Sequence, residues 1–250
     1  MAKANAASKY TIRIPAVDGS FAMDVHVPRG GTRLQDIVPL AQNIAHIQGE
    51  RSIAFERKEG REISCKAGCG ACCRQLVPIS APEAFRLADH ILGLEDNLRE
   101  DFLARVDAVE SAIEATGLMQ ELEGLTRGEP MGDARSLASR YFEKNIACPF
   151  LVDESCCVHP ERPLVCRDYL VTSPAVFCAT PGKNRIRIVP MPPSLSAPLS
   201  RVAASLLGSE PVMIPLSIAM RWVDSHADWG FQEWSDRDVM RILLKELSVP

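Results

Sequence analysis

Four thiols fall within nine residues at Cys65-Lys-Ala-Gly-Cys69-Gly-Ala-Cys72-Cys73, and five more follow at Cys148, Cys156, Cys157, Cys166 and Cys178. Packing alone does not call for such a cluster, because a core uses Ala or Val where it needs a small apolar group. Thiolates are soft ligands, and four of them suffice for a zinc ion or an iron–sulfur cluster. Nine exceed one zinc tetrahedron. They leave open two ions, a cluster with an ion, or a cluster with spare thiols. Neighbouring side chains such as Cys72 and Cys73 point in different directions, so both on one mononuclear ion is awkward. The pair favours a polynuclear centre or two adjacent sites.

The redox compartment decides between ligands and disulfides. Met1 to Tyr10 carries two lysines with no apolar core behind them, so it does not read as a secretory signal. The expected location is the cytoplasm, where clustered cysteines are ligands or redox groups rather than disulfides. No apolar run approaches the roughly 18 residues of a membrane span. A formal net charge of −4 argues against a bulk nucleic-acid or anionic-membrane partner, which would favour a basic face.

The spacing Cys65-x3-Cys69-x2-Cys72 matches the [4Fe–4S] signature of radical S-adenosylmethionine enzymes. Those enzymes place the loop after the first strand of a partial α/β barrel. Here a long helix precedes it, strand–helix alternation does not follow, and Cys73 is foreign to the pattern. The whole set of motifs resembles another family. Cys-x3-Cys-Gly-x-Cys-Cys, then Cys148-Pro-Phe-Leu151, then Cys156 followed by Arg162-Pro163-x2-Cys166-Arg167 is similar to the YkgJ-like cysteine-cluster family, a zinc- or iron-chelating domain. The resemblance covers roughly residues 64–180 and includes the segment opening Ser80-Ala-Pro-Glu83-Ala84. That family has one cysteine where this chain has Cys156-Cys157, and the spacing to Arg162-Pro163 favours Cys156. It has an aromatic residue where this chain has His159. The expected ligands are therefore Cys65, Cys69, Cys72, Cys73, Cys148, Cys156, Cys166 and Cys178. The sulfurs of Cys65, Cys69 and Cys72 are expected to converge with at least one thiol from 148–178. The resemblance implies zinc or iron, the latter as an ion or a [4Fe–4S] cluster, and supplies no reaction.

Four thiolates around zinc or an oxidised [4Fe–4S] cluster leave a net charge near −2, which needs screening. Lys66, Arg74, Arg162 and Arg167 are placed in sequence to supply it. Arg162 and Arg167 are also candidates for binding a cofactor or anionic substrate beside the metal. Three functions stay open: a metal-binding protein with a structural or metal-handling site, an Fe–S oxidoreductase or electron carrier, and a metal-dependent modifying enzyme. His159 is a candidate ligand, whereas His26, His46, His90 and His226 read as structural or solvated. Asp153 and Glu154 read as turn residues.

The elements that must position these groups are mostly helical. Tyr10, Ile12 and Ile14, then Phe21, Met23, Val25 and Val27, alternate with polar residues about Asp18-Gly19 and predict a β-hairpin over 10–28. Leu34, Ile37, Val38, Ala41, Ile44 and Ala45 predict a helix to about Arg57. Ser80 to Glu83 is a capping box opening a helix that Gly93 ends, and a longer helix follows to Gly117. Residues 124–133 read as a loop, and Ala134 to Asn145 as a helix. The proline-rich stretch 148–194 reads as irregular, with one short strand at Ile186–Val189. Ile214, Ile218 and Trp222 mark one helix, and Ser235 to Asp238 caps another. The fold class is mainly α (α+β), with an irregular cysteine-rich centre. The expected organisation is a disordered tail at 1–9, hairpin plus helix at 10–63, the cysteine-cluster domain at 64–180 and a helical extension at 181–250. The C-terminal helices, with Trp222, Trp229 and Trp234, are where a protein partner would dock.

Overall fold

Alternating apolar residues produce the first element. In the structure, a computed structural model describing residues 8–27, 30–129, 133–180 and 182–247, β1 (Ser8–Ala16) and β2 (Gly19–Val27) form an antiparallel hairpin. Ile12 faces Met23 and Ile14 faces Phe21 across it. Ser8 and Lys9, read with the tail, are strand residues, and the expected last hairpin residue, position 28, lies outside the described residues. A two-residue strand, β3 (Gly31–Thr32), leads into a 3-10 turn at Leu34–Ile37 and then helix α1 (Val38–Lys58). Its stripe Val38, Ala41, Ile44 and Ala45 is buried with Ile12, Ile14 and Val25 of the hairpin. The Gln48 side-chain amide donates to the Pro15 carbonyl at 2.9 Å and pins hairpin to helix.

After the first cysteine loop come β4 (Pro78–Ile79) and α2 (Ala81–Leu92). The Ser80–Glu83 capping box is present, Pro82 occupies the first turn, where its missing N–H costs nothing, and Gly93 is the C-cap. Next is α3 (Asp96–Thr116), stopped by Gly117 at a left-handed φ of 76° that glycine adopts freely. α4 (Met119–Thr126) and α5 (Ala134–Glu143) follow. The expected loop at 124–133 is thus helical as far as Thr126. Burial of Leu122 and Met119 in the third core cluster outweighs the helix cost of Gly124. Positions 130–132 lie outside the described residues.

The second cysteine region holds the short hairpin β5 (Leu151–Val152) and β6 (Ser155–Cys156), then α6 (Leu164–Asp168). The strand expected at Ile186–Val189 is reduced to one bridge between Val171 and Ile188. α7 (Ser196–Leu207) begins beyond the proline-rich stretch and was not expected as a separate helix. Pro198 sits in its first turn, where no intrahelical N–H bond is lost. The single helix expected across Ile214 to Trp222 is instead strand β7 (Ile214–Pro215), a 3-10 turn at Leu216–Ile218 and α8 (Ala219–Ser225). Pro215 removes the N–H that a continuous helix would need, and β7 pairs with β4. A short turn, α9 (Ala227–Gly230), precedes β8 (Trp234–Ser235), which pairs with β3, and α10 (Asp236–Leu247) closes the fold. The Ser235 hydroxyl accepts from the Asp238 amide at 3.1 Å, as expected of its cap.

Among the described residues three buried clusters result, and each grips part of the cysteine region. Phe150 and Val158 lie in the cluster of α2, α3 and α8. Leu164 joins that of α1, α7 and α10. Ile146 and Leu76 join that of α4 and α5.

Candidate metal centre

The first cysteine loop is wound by its own backbone. The Cys69 amide donates to the Lys66 carbonyl, Cys73 to Gly70 and Gln75 to Cys72, at 3.0–3.1 Å. These consecutive turns turn several thiols toward one side. Gly68 has φ +84°, a left-handed conformation that favours glycine. Gly70 matters for closeness instead. A Cβ there would lie 2.6 Å from both the Glu154 carbonyl oxygen and Leu151 Cδ1, so the loop lies flush on the β5–β6 hairpin. Asp153 and Glu154 turn that hairpin with φ 49° and 58°. Arg74 grips it with a two-pronged ion pair to Glu154 at 2.6 and 3.0 Å.

The second region is tied to the first through the chain. The Cys148 amide donates to the Cys73 carbonyl at 2.8 Å, and the Ser64 amide to the Val171 carbonyl at 2.9 Å. Glu83, buried in α2, fixes the helix that carries Cys166. Its carboxylate accepts from the Leu164 amide at 2.8 Å, the Ser80 amide at 2.9 Å, the Ser80 hydroxyl at 2.6 Å and the Ser196 hydroxyl. Donors from three elements thus meet one carboxylate at the start of α6.

These constraints place six sulfur-bearing residues around one cavity of about 120 Å³: Cys69, Cys72, Cys73, Cys148, Cys156 and Cys166. Half come from the first loop and half from 148–166. His159, Arg162 and Tyr169 share the wall. Cys65 lies just outside, on a neighbouring pocket, with its sulfur 4.0 Å from the Tyr169 carbonyl oxygen. Cys178 is buried beside Tyr169, within electrostatic reach of Cys65, Cys69 and Cys72. Cys157 faces away and is exposed next to Arg105. Among the described residues, no three Cys, His, Asp or Glu side chains already meet within bonding reach of one point. The thiols border the cavity, and an ion would draw them inward.

Burial also sets their protonation. Burial pushes Cys65, Cys148, Cys156 and Cys178 upward, and Cys166 up to about 12. Cys72 is raised first by its contact with Cys73 and then by burial. Without a metal these groups are neutral thiols, which pack as small hydrophobes rather than repelling charges. Cys148 and Cys156 accordingly pack against the first core cluster. Arg162 opposes the upward shift at Cys65, Cys72, Cys156 and Cys166, so its charge reaches four thiols at once. Its Nε is buried without a partner among the described residues. Arg167 behaves differently, donating to the carbonyls of Arg162, at 2.9 Å, and Pro160. Arg74, expected to screen the cluster, is engaged by Glu154.

The donor set suits a soft or borderline cation, with thiols in surplus of the four that one zinc takes. Tyr169 on the cavity wall directly follows the Arg167-Asp168 pair. Glu83 behind α6 was not singled out as a site residue. Glu83 was visible only as a cap, since a capping glutamate looks the same whether or not it also holds a distant helix. A family model described as "Putative zinc- or iron-chelating domain", CxxCxxCC, matches residues 64–183. No curated protein and no solved structure matches the chain.

Proposed function

We propose, from the match of residues 64–183 to the CxxCxxCC model described as a zinc- or iron-chelating domain, that the cavity lined by Cys69, Cys72, Cys73, Cys148, Cys156 and Cys166 is where the metal is held, with Cys65 and Cys178 in reserve beside it. The observation that carries this reading is the common cavity itself, shared by thiols about seventy-five residues apart in sequence. Chelation of zinc or iron converts neutral thiols to thiolates and releases protons. Arg162, next to four of them, offsets the negative charge that remains. Since Cys72 and Cys73 both border the cavity, and one zinc takes four ligands, a centre of more than one metal atom fits better than a lone tetrahedral ion. The role is metal binding or handling, and a surplus of free thiols suits a reducing compartment such as the cytoplasm. No helix among the described residues is long and apolar enough to cross a membrane.

A second reading has its own support. The Cys65-x3-Cys69-x2-Cys72 spacing and the arginine beside the thiols suit an iron–sulfur centre whose potential is set by neighbouring charge. Anaerobic purification, metal analysis and a visible spectrum separate the two. Stoichiometric zinc in a colourless sample sinks the redox reading. A brown protein whose broad absorbance bleaches on reduction sinks the zinc one. A protein without bound metal after reconstitution with either overturns both.

A further inference from the structure

We infer that the protein binds a small carboxylate in the pocket that opens beside the thiol cavity, between α1 and the 159–170 segment. This goes beyond metal chelation and does not depend on which metal is held. The pocket has a volume of about 200 Å³, more than the roughly 150 Å³ of a cavity that takes benzene. Two chemistries divide its wall. Ile53, Ile63 and Leu170 supply apolar surface, while Lys66, Arg162 and Arg167 supply positive charge. His46 and His159 stand among them, and Glu50 is the acid on the wall. Three cations against one carboxylate leave a net charge of +2, because 3 − 1 = 2 with both histidines neutral.

Among the described residues none of the three cations forms an ion pair, although Arg162 also faces the thiols of the metal cavity. The Arg162 Nε has no acceptor among those residues. Arg162 lines both this pocket and the thiol cavity, so it forms the partition between them. Arg167 spends its hydrogen bonds on the carbonyls of Arg162 and Pro160, which fixes its guanidinium without neutralising it. The nearby acids are occupied or displaced. Glu161 pairs with Arg86 at 3.4 Å, and Asp168 is not on the pocket wall. Arg162 and Arg167 both lie close enough to His159 to act on its imidazole, so the two guanidinium charges converge at this wall. A carboxylate head would meet these donors with charge-assisted hydrogen bonds, and a short aliphatic tail would cover Ile53, Ile63 and Leu170. Inorganic phosphate would satisfy the head and leave the apolar wall wet.

Isothermal titration calorimetry on the metal-loaded full chain tests this with butanoate, 1-butanol and inorganic phosphate. Butanoate is expected to bind saturably, 1-butanol not at all, and phosphate more weakly than butanoate. Ile53→Asp, which sets a negative charge on the apolar wall, should weaken butanoate about tenfold or more, and Glu50→Gln, which removes the acid from the wall, should tighten it severalfold. Metal content measured on both variants should equal that of the parent, so that loss of the metal centre registers separately from loss of the pocket. No saturable heat with butanoate overturns the inference, as does equal binding of 1-butanol or phosphate. Parent-like affinity in both variants overturns it as well.

Discussion

The amide of Cys148 donates to the carbonyl of Cys73 at 2.8 Å, joining backbone to backbone at the point where the two cysteine regions meet. Both residues also present their thiols to the same cavity. A metal bound there would cross-link the same junction through side chains. Metal at a hundred times its Kd would then add about 2.7 kcal/mol to stability. Removing it with a chelator is expected to lower the Tm and to expose residues 64–77 and 148–178 to protease before the helices open. An unchanged Tm after complete metal removal would show that the metal staples nothing.

Cys156 and Cys157 are neighbours with opposite outlooks. Cys156 borders the cavity and packs on the core, whereas Cys157 is exposed beside Arg105. Cys156→Ser should cost metal affinity beyond the roughly 10–100-fold that loss of a supporting hydrogen bond costs. Cys157→Ser should bind metal like the parent. Conversely, Cys157 should be alkylated fastest of the pair in the metal-bound protein, which mass spectrometry of labelled peptides reads directly. The reverse order for either variant rules out the assignment.

Gly70 allows the loop to touch the β5–β6 hairpin. A methyl group there meets the Glu154 carbonyl oxygen and Leu151 Cδ1, both at 2.6 Å. Neither can withdraw easily, since Arg74 clamps Glu154 and Leu151 pairs with Cys156. Gly70→Ala is therefore expected to destabilise by about 1–3 kcal/mol, the range of overpacked interiors, and to weaken metal binding by separating Cys69 and Cys72 from Cys156. Gly68→Ala strains only its own φ and should leave the spacing of the two regions intact. Denaturant melts and metal titrations on both variants tell these effects apart.

Much of this was legible in the residues. The hairpin register followed from the alternation of Ile12 and Ile14, and the α2 start from Ser80 and Glu83, because both signals are local. What failed was decided at a distance. Ile214 and Trp222 share a helical spacing, yet Pro215 and the pairing of β7 with β4 break the segment. α7 starts just after the proline-rich stretch, and its own Pro198 falls in the first turn, where it does not oppose a helix. Cys65 has the same residue type and loop as Cys69 and still faces a different pocket, since thiol spacing does not encode which way a wound loop turns each side chain.

Glu56, buried near the end of α1, accepts from Arg61 at 2.5 and 3.1 Å and shapes the lead into the cysteine loop. The Arg61 hydrogen bond holds the carboxyl below its usual 4.5, against the opposing effect of burial. A carboxylate lowered on folding stabilises above its unfolded pKa, and that stability is lost as pH falls through the folded value. The deficit of Arg61→Ala relative to the parent should thus be full at pH 6 and shrink as pH drops below 4.5. Urea melts at several pH values measure it, and a pH-independent deficit would mean that Arg61 acts through packing alone.

Glu83 offers the most direct test of how the fold aims Cys166. Its carboxylate receives the Leu164 amide, the Ser80 amide and hydroxyl, and the Ser196 hydroxyl in a buried setting. Truncation would strand these donors, and each buried donor left unpaired costs about 1–3 kcal/mol. Glu83→Ala should accordingly destabilise by several kcal/mol and release the first turn of α6. Glu83→Gln keeps one acceptor oxygen and the volume, so it should cost less and fold. In that variant the Leu164 amide should exchange its hydrogen faster than in the parent, and metal affinity should fall although no thiol has changed. Unaltered exchange and unaltered metal binding together would confine Glu83 to capping α2.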